Sequence, residues 1–161
     1  MVTGVGYDSH RFASPGPLVL GGVTIESAVR LAGHSDGDAV CHAICDAILG
    51  AAAAPDIGEL FPDSDPAYAG ANSLQLLQRV VEHIQGLHMS VEHVDVVVIA
   101  EQPKIAPHKP AMRDALAGAM GLTAARVNVK AKTNEGMGFI GRGEGIACIA
   151  VATVRRVGEV H

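Results

Sequence analysis

The chain has 161 residues and a formal net charge of -5, about the length of one domain and enough to bury roughly two thirds of the surface its unfolded form exposes. Its hydrophobic fraction of 48% is aliphatic, with no Trp, two Tyr and three Phe, so the expected core is finely packed Ala, Val, Ile and Leu. The acidic balance and the scarcity of stacking rings exclude nucleic acid as the main partner, because phosphate neutralisation needs a basic face and single strands need aromatic platforms.

From the N-terminus, Val2 to His10 reads as extended, and Pro17 to Ile25 as a short hairpin, LVL then VTI, turning at Gly21 and Gly22. A helix is expected from about Ser35 to Ala54, where Val40, Ile44, Ile48 and Ala51 recur at helical steps and Pro55 stops the run. Residues 55–71 are rich in Pro, Asp and Gly, too long for a mere connection and typical of functional loops. A second helix follows from about Asn72 to Leu87, capped by Asn72 or Ser73, with Leu74, Leu77, Val81 and Ile84 facing inward. Val94 to Ala100 is apolar throughout apart from Asp95 and reads as a central strand. Pro110 suits the first turn of a third helix that carries Met112, Leu116 and Met120 before Gly121 ends it. Two strands, near Val127 to Ala131 and Gly145 to Val157, close the chain.

This order predicts a single domain over residues 1–161 of the α/β class, an α+β two-layer sandwich with one mixed, roughly four-stranded sheet and helices on one face. The last strand is apolar on both alternating sets in its first half, so the other face needs cover, and identical subunits supply it most simply. Cys41, Cys45 and Cys148 form no CxxC pair and read as buried thiols of a reducing cytoplasm; the four-residue step between the first two admits a soft-metal site but does not require one. Met1 leads into a strand with no basic and apolar leader, and no apolar run is long enough to span a membrane, which points to a cytoplasmic protein.

Chemistry concentrates in four places. In GYDSHRF, Asp8 and His10 are two apart on a strand and project to one side, while Asp38, His42 and Asp46 share one helical stripe. Two imidazoles and a carboxylate make a three-ligand set that leaves the fourth position of Zn²⁺ open, as catalytic zinc sites do, with Asp38 or Asp46 as the residue that would orient His42. His34 and Ser35 sit where a helix start favours an anion, although an ordinary cap explains Ser35 equally well. In DIGELFPDSDP, the aspartates suit sugar hydroxyls or plain turns. EQPKIAPHKP offers Lys104 and a stiff backbone whose amides can read a ring edge, and KAKTNEGMGFIGRGEG offers Lys132, Thr133 and Glu135 to a phosphate and a hard cation, without the GK[ST] ending of a P-loop.

Together, GYDSHRF, GHSDGDAVCHAICDAILGAA, DIGELFPDSDP, VDVVVIAEQPKIAPH and VNVKAKTNEGMGFIGRGEGIACIAV resemble the 2-C-methyl-D-erythritol 2,4-cyclodiphosphate synthase family from about Val2 to Val154. The resemblance implies attack of the 2-phosphate of 4-diphosphocytidyl-2-C-methyl-D-erythritol 2-phosphate on its own β-phosphorus, releasing CMP, by positioning and charge stabilisation rather than a side-chain nucleophile. It implies Asp8, His10 and His42 as zinc ligands, and Glu135 as ligand of a second cation, Mg²⁺ or alternatively Mn²⁺. His34, Ser35, Thr133 and Glu135 become the catalytic set. Asp56, Ile57, Gly58, Phe61, Asp63 and Asp65 become the methylerythritol loop, and Ala100, Pro103, Lys104, Ile105 and Ala106 the cytidine pocket. Lys132, Asn134, Phe139 and Arg142 fall on further substrate-binding positions, although Lys132 and Asn134 stand where some relatives carry smaller hydroxylated residues. A homotrimer with active sites between subunits is implied too, with Arg142 and Glu144 lining a central cavity for an isoprenoid diphosphate. The rival readings are a metal-dependent phosphodiester hydrolase, in which the same cations activate water, and a binding module whose zinc only fastens a trimer.

Overall fold

The computed structural model describes residues 1–158. Its seven strands are β1 (Val2–Ala13), β2 (Leu18–Leu20), β3 (Val23–Ile25), β4 (Arg30–Leu31), β5 (Met89–Ile99), β6 (Val127–Lys132) and β7 (Gly145–Arg156). Five helices, α1 (Ala39–Ala51), α2 (Ile57–Leu60), α3 (Ser73–Gly86), α4 (Lys109–Met120) and α5 (Gly138–Gly141), alternate with them. The main sheet has five strands in the order β4-β1-β7-β5-β6, one more than the sequence suggests, because the two-residue β4 pairs Leu31 with Phe12 at the end of β1. β2 and β3 form the expected hairpin as a separate ribbon.

The sheet is mixed. β7 runs antiparallel to both of its neighbours, so β1, β5 and β6 all point the same way and end at one edge of the sheet. The long helices pack on one face, over a core of Val94, Val96, Val98, Ile146, Cys148 and Ala150 from the sheet and Val40, Ile44, Ile48, Leu77 and Leu116 from the helices. On the opposite face, Val5 pairs with Val151 and Tyr7 with Ile149, and these four apolar side chains are exposed. No helix among the described residues is long and apolar enough to cross a membrane.

Two glycines set the spacing that matters most. A Cβ on Gly6 would lie 1.9 Å from the Ala43 carbonyl oxygen, and one on Gly4 would lie 2.2 Å from that of Ala47. β1 therefore lies directly against the backbone of α1, and two residues of strand, roughly 6.7 Å, keep pace with four of helix, about 6 Å. Continuing that march brings Asp8, the next inward residue of β1, level with the first turns of α1, where His42 stands.

Candidate metal centre and its two clefts

α1 starts four residues later than the sequence suggests because Asp38 serves as its cap. The Asp38 carboxylate is fully buried and accepts from the amides of Val40 and Cys41 and also from Gly21 and Gly22 in the β2–β3 turn. Its oxygens are committed to tying the hairpin to the helix, and none of the carboxylate's hydrogen bonds reaches the His42 ring, whose residue meets Asp38 only through the backbone. Asp46, the other candidate orienter, instead accepts from the Ile57 amide at 2.9 Å and anchors the loop that follows α1. Burial pushes its carboxyl above the usual range, against the Ile57 hydrogen bond.

Asp8, His10 and His42 converge as the spacing suggests. His10 Nε2 lies 2.7 Å and His42 Nδ1 3.1 Å from Asp8 Oδ2, with 3.3 Å between the two nitrogens. A tetrahedral zinc with ligand bonds of roughly 2.0–2.1 Å needs about 3.3 Å between donor atoms, so the cluster fits the ion once the 2.7 Å Asp8–His10 pair opens by about 0.6 Å. His10 is oriented for this by its other nitrogen, Nδ1, which donates to the Ala32 carbonyl at 2.5 Å and leaves Nε2 as the ligand atom. When only protons bind the cluster, burial would push Asp8 up, but hydrogen bonds from His10 and His42 and their charge bring it below its ordinary range. The hydrogen bond to Asp8 raises His10, against the effect of burial.

The trio opens into a cleft of about 250 Å³ lined also by His34, Ser35, Ile57, Gly58, Phe61 and Asp63, as the sequence suggests, and by Gly33, Tyr68 and Leu76, which it did not single out. Phe61 and Tyr68 meet edge to face, 5.2 Å between centroids, and stiffen one wall. Two aspartates of the loop have local work: Asp56 caps α2 through the Glu59 amide, and Asp65 caps the 3-10 turn Pro66–Tyr68 through the Ala67 amide.

A second, smaller cleft of about 130 Å³ is lined by Ala100, Pro103, Lys104, Ile105, Ala106, Lys132 and Thr133. Glu101, within the Ala100 to Ala106 stretch, and Ala131, at the end of the expected strand, line it as well. Glu101 accepts from the amides of Asn134 at 2.9 Å and Gly136 at 3.3 Å, and so pins the turn that carries Thr133 and Glu135 to the end of β5. Glu135 is held there with φ of 52°, a left-handed conformation for a non-glycine residue. Neither cleft is lined by residues of both sets. Phe139 and Arg142 line neither; Phe139 is exposed, and Arg142 Nε pairs with Glu144 at 2.5 Å. The three cysteines are buried and free, and burial raises each thiol well above its ordinary range, which disfavours the nucleophilic thiolate.

Residues 1–155 match the model of the YgbB family. A curated relative from Gemmatimonas aurantiaca, named 2-C-methyl-D-erythritol 2,4-cyclodiphosphate synthase, is 53% identical over 156 residues, 97% of this chain and 94% of the relative. Among solved structures, a 2C-methyl-D-erythritol-2,4-cyclodiphosphate synthase in a CDP-bound form superposes with a TM-score of 0.87 at 35% identity, covering 95% of this chain and 99% of that one. The bifunctional IspDF from Campylobacter jejuni gives a TM-score of 0.93 at 41% identity, with 96% of this chain matching 42% of the larger protein.

Proposed function

This chain belongs to the YgbB family, and from that premise we infer that it is a lyase of isoprenoid biosynthesis, converting 4-diphosphocytidyl-2-C-methyl-D-erythritol 2-phosphate to 2-C-methyl-D-erythritol 2,4-cyclodiphosphate and CMP. An oxygen of the 2-phosphate attacks the β-phosphorus, the bond from that phosphorus to the α-phosphate oxygen breaks, and CMP leaves with the electron pair. The observation that carries this reading is the convergence of three donor atoms from β1 and α1 on the floor of a cleft whose remaining walls suit a small polyol.

Asp8, His10 and His42 are the residues that would hold zinc, which supplies a Lewis acid for a β-phosphate oxygen. Glu135 is the side chain for a second divalent cation, Mg²⁺ or Mn²⁺, and Thr133 stands beside it with its hydroxyl 3.4 Å from the Glu135 carboxylate. His34 and Ser35, on the lip of the first cleft, steady the attacking phosphate. Ile57, Gly58, Phe61 and Asp63 hold the methylerythritol, while Asp56 and Asp65 keep that loop in shape. Backbone groups from Ala100 to Ala106 read cytosine, with Lys104 and Lys132 balancing the diphosphate charge; the CDP seen in a relative supports a cytidine ligand.

The division of these groups between two clefts supports a homotrimer in which each site takes its metal trio from one subunit and its cytidine segment from the next. The exposed Val5, Tyr7, Ile149 and Val151 are the apolar face such an assembly would cover. Arg142 and Glu144, if turned to the trimer axis, would hold an isoprenoid diphosphate there. A cytoplasmic location belongs to the same reading and suits three free thiols.

Turnover in ¹⁸O-labelled water tests the chemistry. Cyclisation leaves both products unlabelled, whereas the rival hydrolysis puts one solvent oxygen on a product phosphate. His42→Ala is expected to abolish CMP release with the oligomer intact, and surviving activity would remove the metal trio from the mechanism.

A further inference from the structure

Resting on the metal site just proposed, a second set of contacts lies behind it. His42 aims Nδ1 at Asp8 and turns Nε2 the other way, 3.0 Å from Ser73 Oγ and 3.1 Å from Ser35 Oγ. Ser73 is the first residue of α3, fully buried, and Asn72 rather than Ser73 caps that helix. The Ser73 hydroxyl donates to Asp36 Oδ1 in a short hydrogen bond, and its amide donates to Asp36 Oδ2 at 3.0 Å. Asp36 is fixed in turn, since its own amide donates to Ala71 at 3.1 Å and the neighbouring His34 carbonyl accepts from Gly70 at 2.8 Å.

A serine hydroxyl has one proton to give and two lone pairs to offer. Because Ser73 gives its proton to the Asp36 carboxylate, it can only accept from His42, so the imidazole proton belongs on Nε2. Nδ1 is then left with its lone pair for a cation. Asp8, 3.1 Å from Nδ1, pulls the other way when no cation is bound, because a proton on Nδ1 would hydrogen-bond to it. The direction of the Asp36–Ser73–His42 chain opposes that pull.

We propose that Asp36 and Ser73 are positioning residues for the metal centre: reading outward from the site, His42 Nε2–H donates to Ser73 Oγ and Ser73 Oγ–H donates to Asp36, which sets the tautomer in which His42 can ligate. Neither residue lines the cleft. His10 reaches the complementary state by a backbone route, through Ala32, so the two imidazoles are prepared by different devices. Ser35 also comes within reach of Nε2 but lines the open cleft, where substrate competes for its hydroxyl.

The test uses ¹⁵N-histidine-labelled, metal-free full-length protein at pH 8 for the tautomer, and chelator competition for zinc affinity. In the wild type the proton is expected on His42 Nε2. In Ser73→Ala it should move to Nδ1, with zinc affinity lower by about 10–100-fold. Asp36→Ala keeps the serine but frees its proton to point at Nε2, so it should lose at least as much affinity as Ser73→Ala. Asp36 also accepts from the amides of Asp38 and Ser73, so the proton's position on His42, and not affinity alone, is the readout a purely structural role would not move. Ser35→Ala should leave the proton on Nε2 and the zinc affinity within about threefold. A wild-type proton on Nδ1, an unmoved proton in both relay variants, or a Ser35→Ala variant that reproduces Ser73→Ala would each overturn the proposal. If the wild type failed to bind zinc, the metal reading itself would fall, while the tautomer measurement, made without zinc, would still decide the relay.

Discussion

Gly6→Ala is the most incisive single perturbation, because it adds one methyl group at a residue that is not itself a ligand yet strikes the geometry that assembles the ligands. The new Cβ would lie 1.9 Å from the Ala43 carbonyl oxygen and 2.7 Å from the Ala47 amide nitrogen, both backbone atoms of α1 that no rotamer change can move. Relief to ordinary contact at 3.4 Å requires β1 and α1 to separate by roughly 1.5 Å. Overpacking of this kind costs about 1–3 kcal/mol, and the upper end is expected where the obstacle is a helix backbone. For a chain of this length, about 3 kcal/mol lowers the melting temperature of the metal-free protein by roughly 6–12 °C. The same displacement carries His42 on α1 away from Asp8 and His10 on β1, stretching the 3.1 Å and 3.3 Å separations by an amount a zinc coordination sphere does not tolerate. Thermal unfolding with and without zinc, together with bound zinc per chain after dialysis, measures both effects. A variant that melts like the wild type and retains a full complement of zinc would refute the claim that strand–helix contact at Gly6 sets the ligand geometry.

Zinc binding should also depend on pH in a direction fixed by the ligands. His10 holds its proton above the ordinary imidazole value of about 6.5, so in the metal-free protein its contribution to stability is full below that value and is lost as pH rises through the raised pKa. Asp8, held below the ordinary carboxylate range, contributes above about 3.8 and loses that contribution as pH falls through its lowered pKa. Zinc must displace the His10 proton, so the rise in melting temperature on adding zinc should grow from pH 5.5 to 8, and an increment that is flat or shrinks contradicts the ligand assignment. Asp38→Ala should cost at least about 3 kcal/mol in urea unfolding, since it strips one helix cap and leaves the amides of Gly21, Gly22, Val40 and Cys41 without their buried acceptor; a loss below about 1 kcal/mol would show that water or another side chain replaces it.

What the sequence made legible followed from local rules. The three long helices announced themselves by apolar steps of three and four, and the β2–β3 hairpin by its Gly-Gly turn with both glycines at positive φ. β5 was read only from Val94, yet it begins at Met89, because a bulge between Val91 and His93 breaks the alternation that would have extended the strand. β4 is two residues long and leaves no periodic signal, and α5 lies in glycine-rich sequence without helical propensity. The metal ligands were legible because a two-residue step on a strand and resemblance to a family both pointed at them. The same logic makes Asp46 a candidate orienter, since it shares a stripe with His42, but its carboxylate accepts from Ile57 instead. Ser73, whose hydroxyl lies 3.0 Å from His42 Nε2, stands 31 residues away at a helix start, where a serine reads as a cap; no pattern in sequence distinguishes the two roles.

The proposed division of the site between two clefts accords with the sheet order. β1, β5 and β6 run parallel, so His10 near the end of β1, Ala100 just past the end of β5 and Lys132 at the end of β6 all reach the same edge of the sheet. Within one chain β7 stands between β1 and β5, and its own first residues, from Gly145, occupy that edge between the clefts. Copies packed through their open sheet faces about an axis along the strands would keep every such edge at one level. The metal trio of one copy would then meet the Lys104 and Lys132 segment of the next without any change in either chain. On the proposed assembly, the exposed Val5, Tyr7, Ile149 and Val151 and the two separate clefts would answer to one arrangement. A monomeric variant made by charging that face, for example Val151→Glu, is expected to keep its zinc and lose CMP release together with cytidine binding.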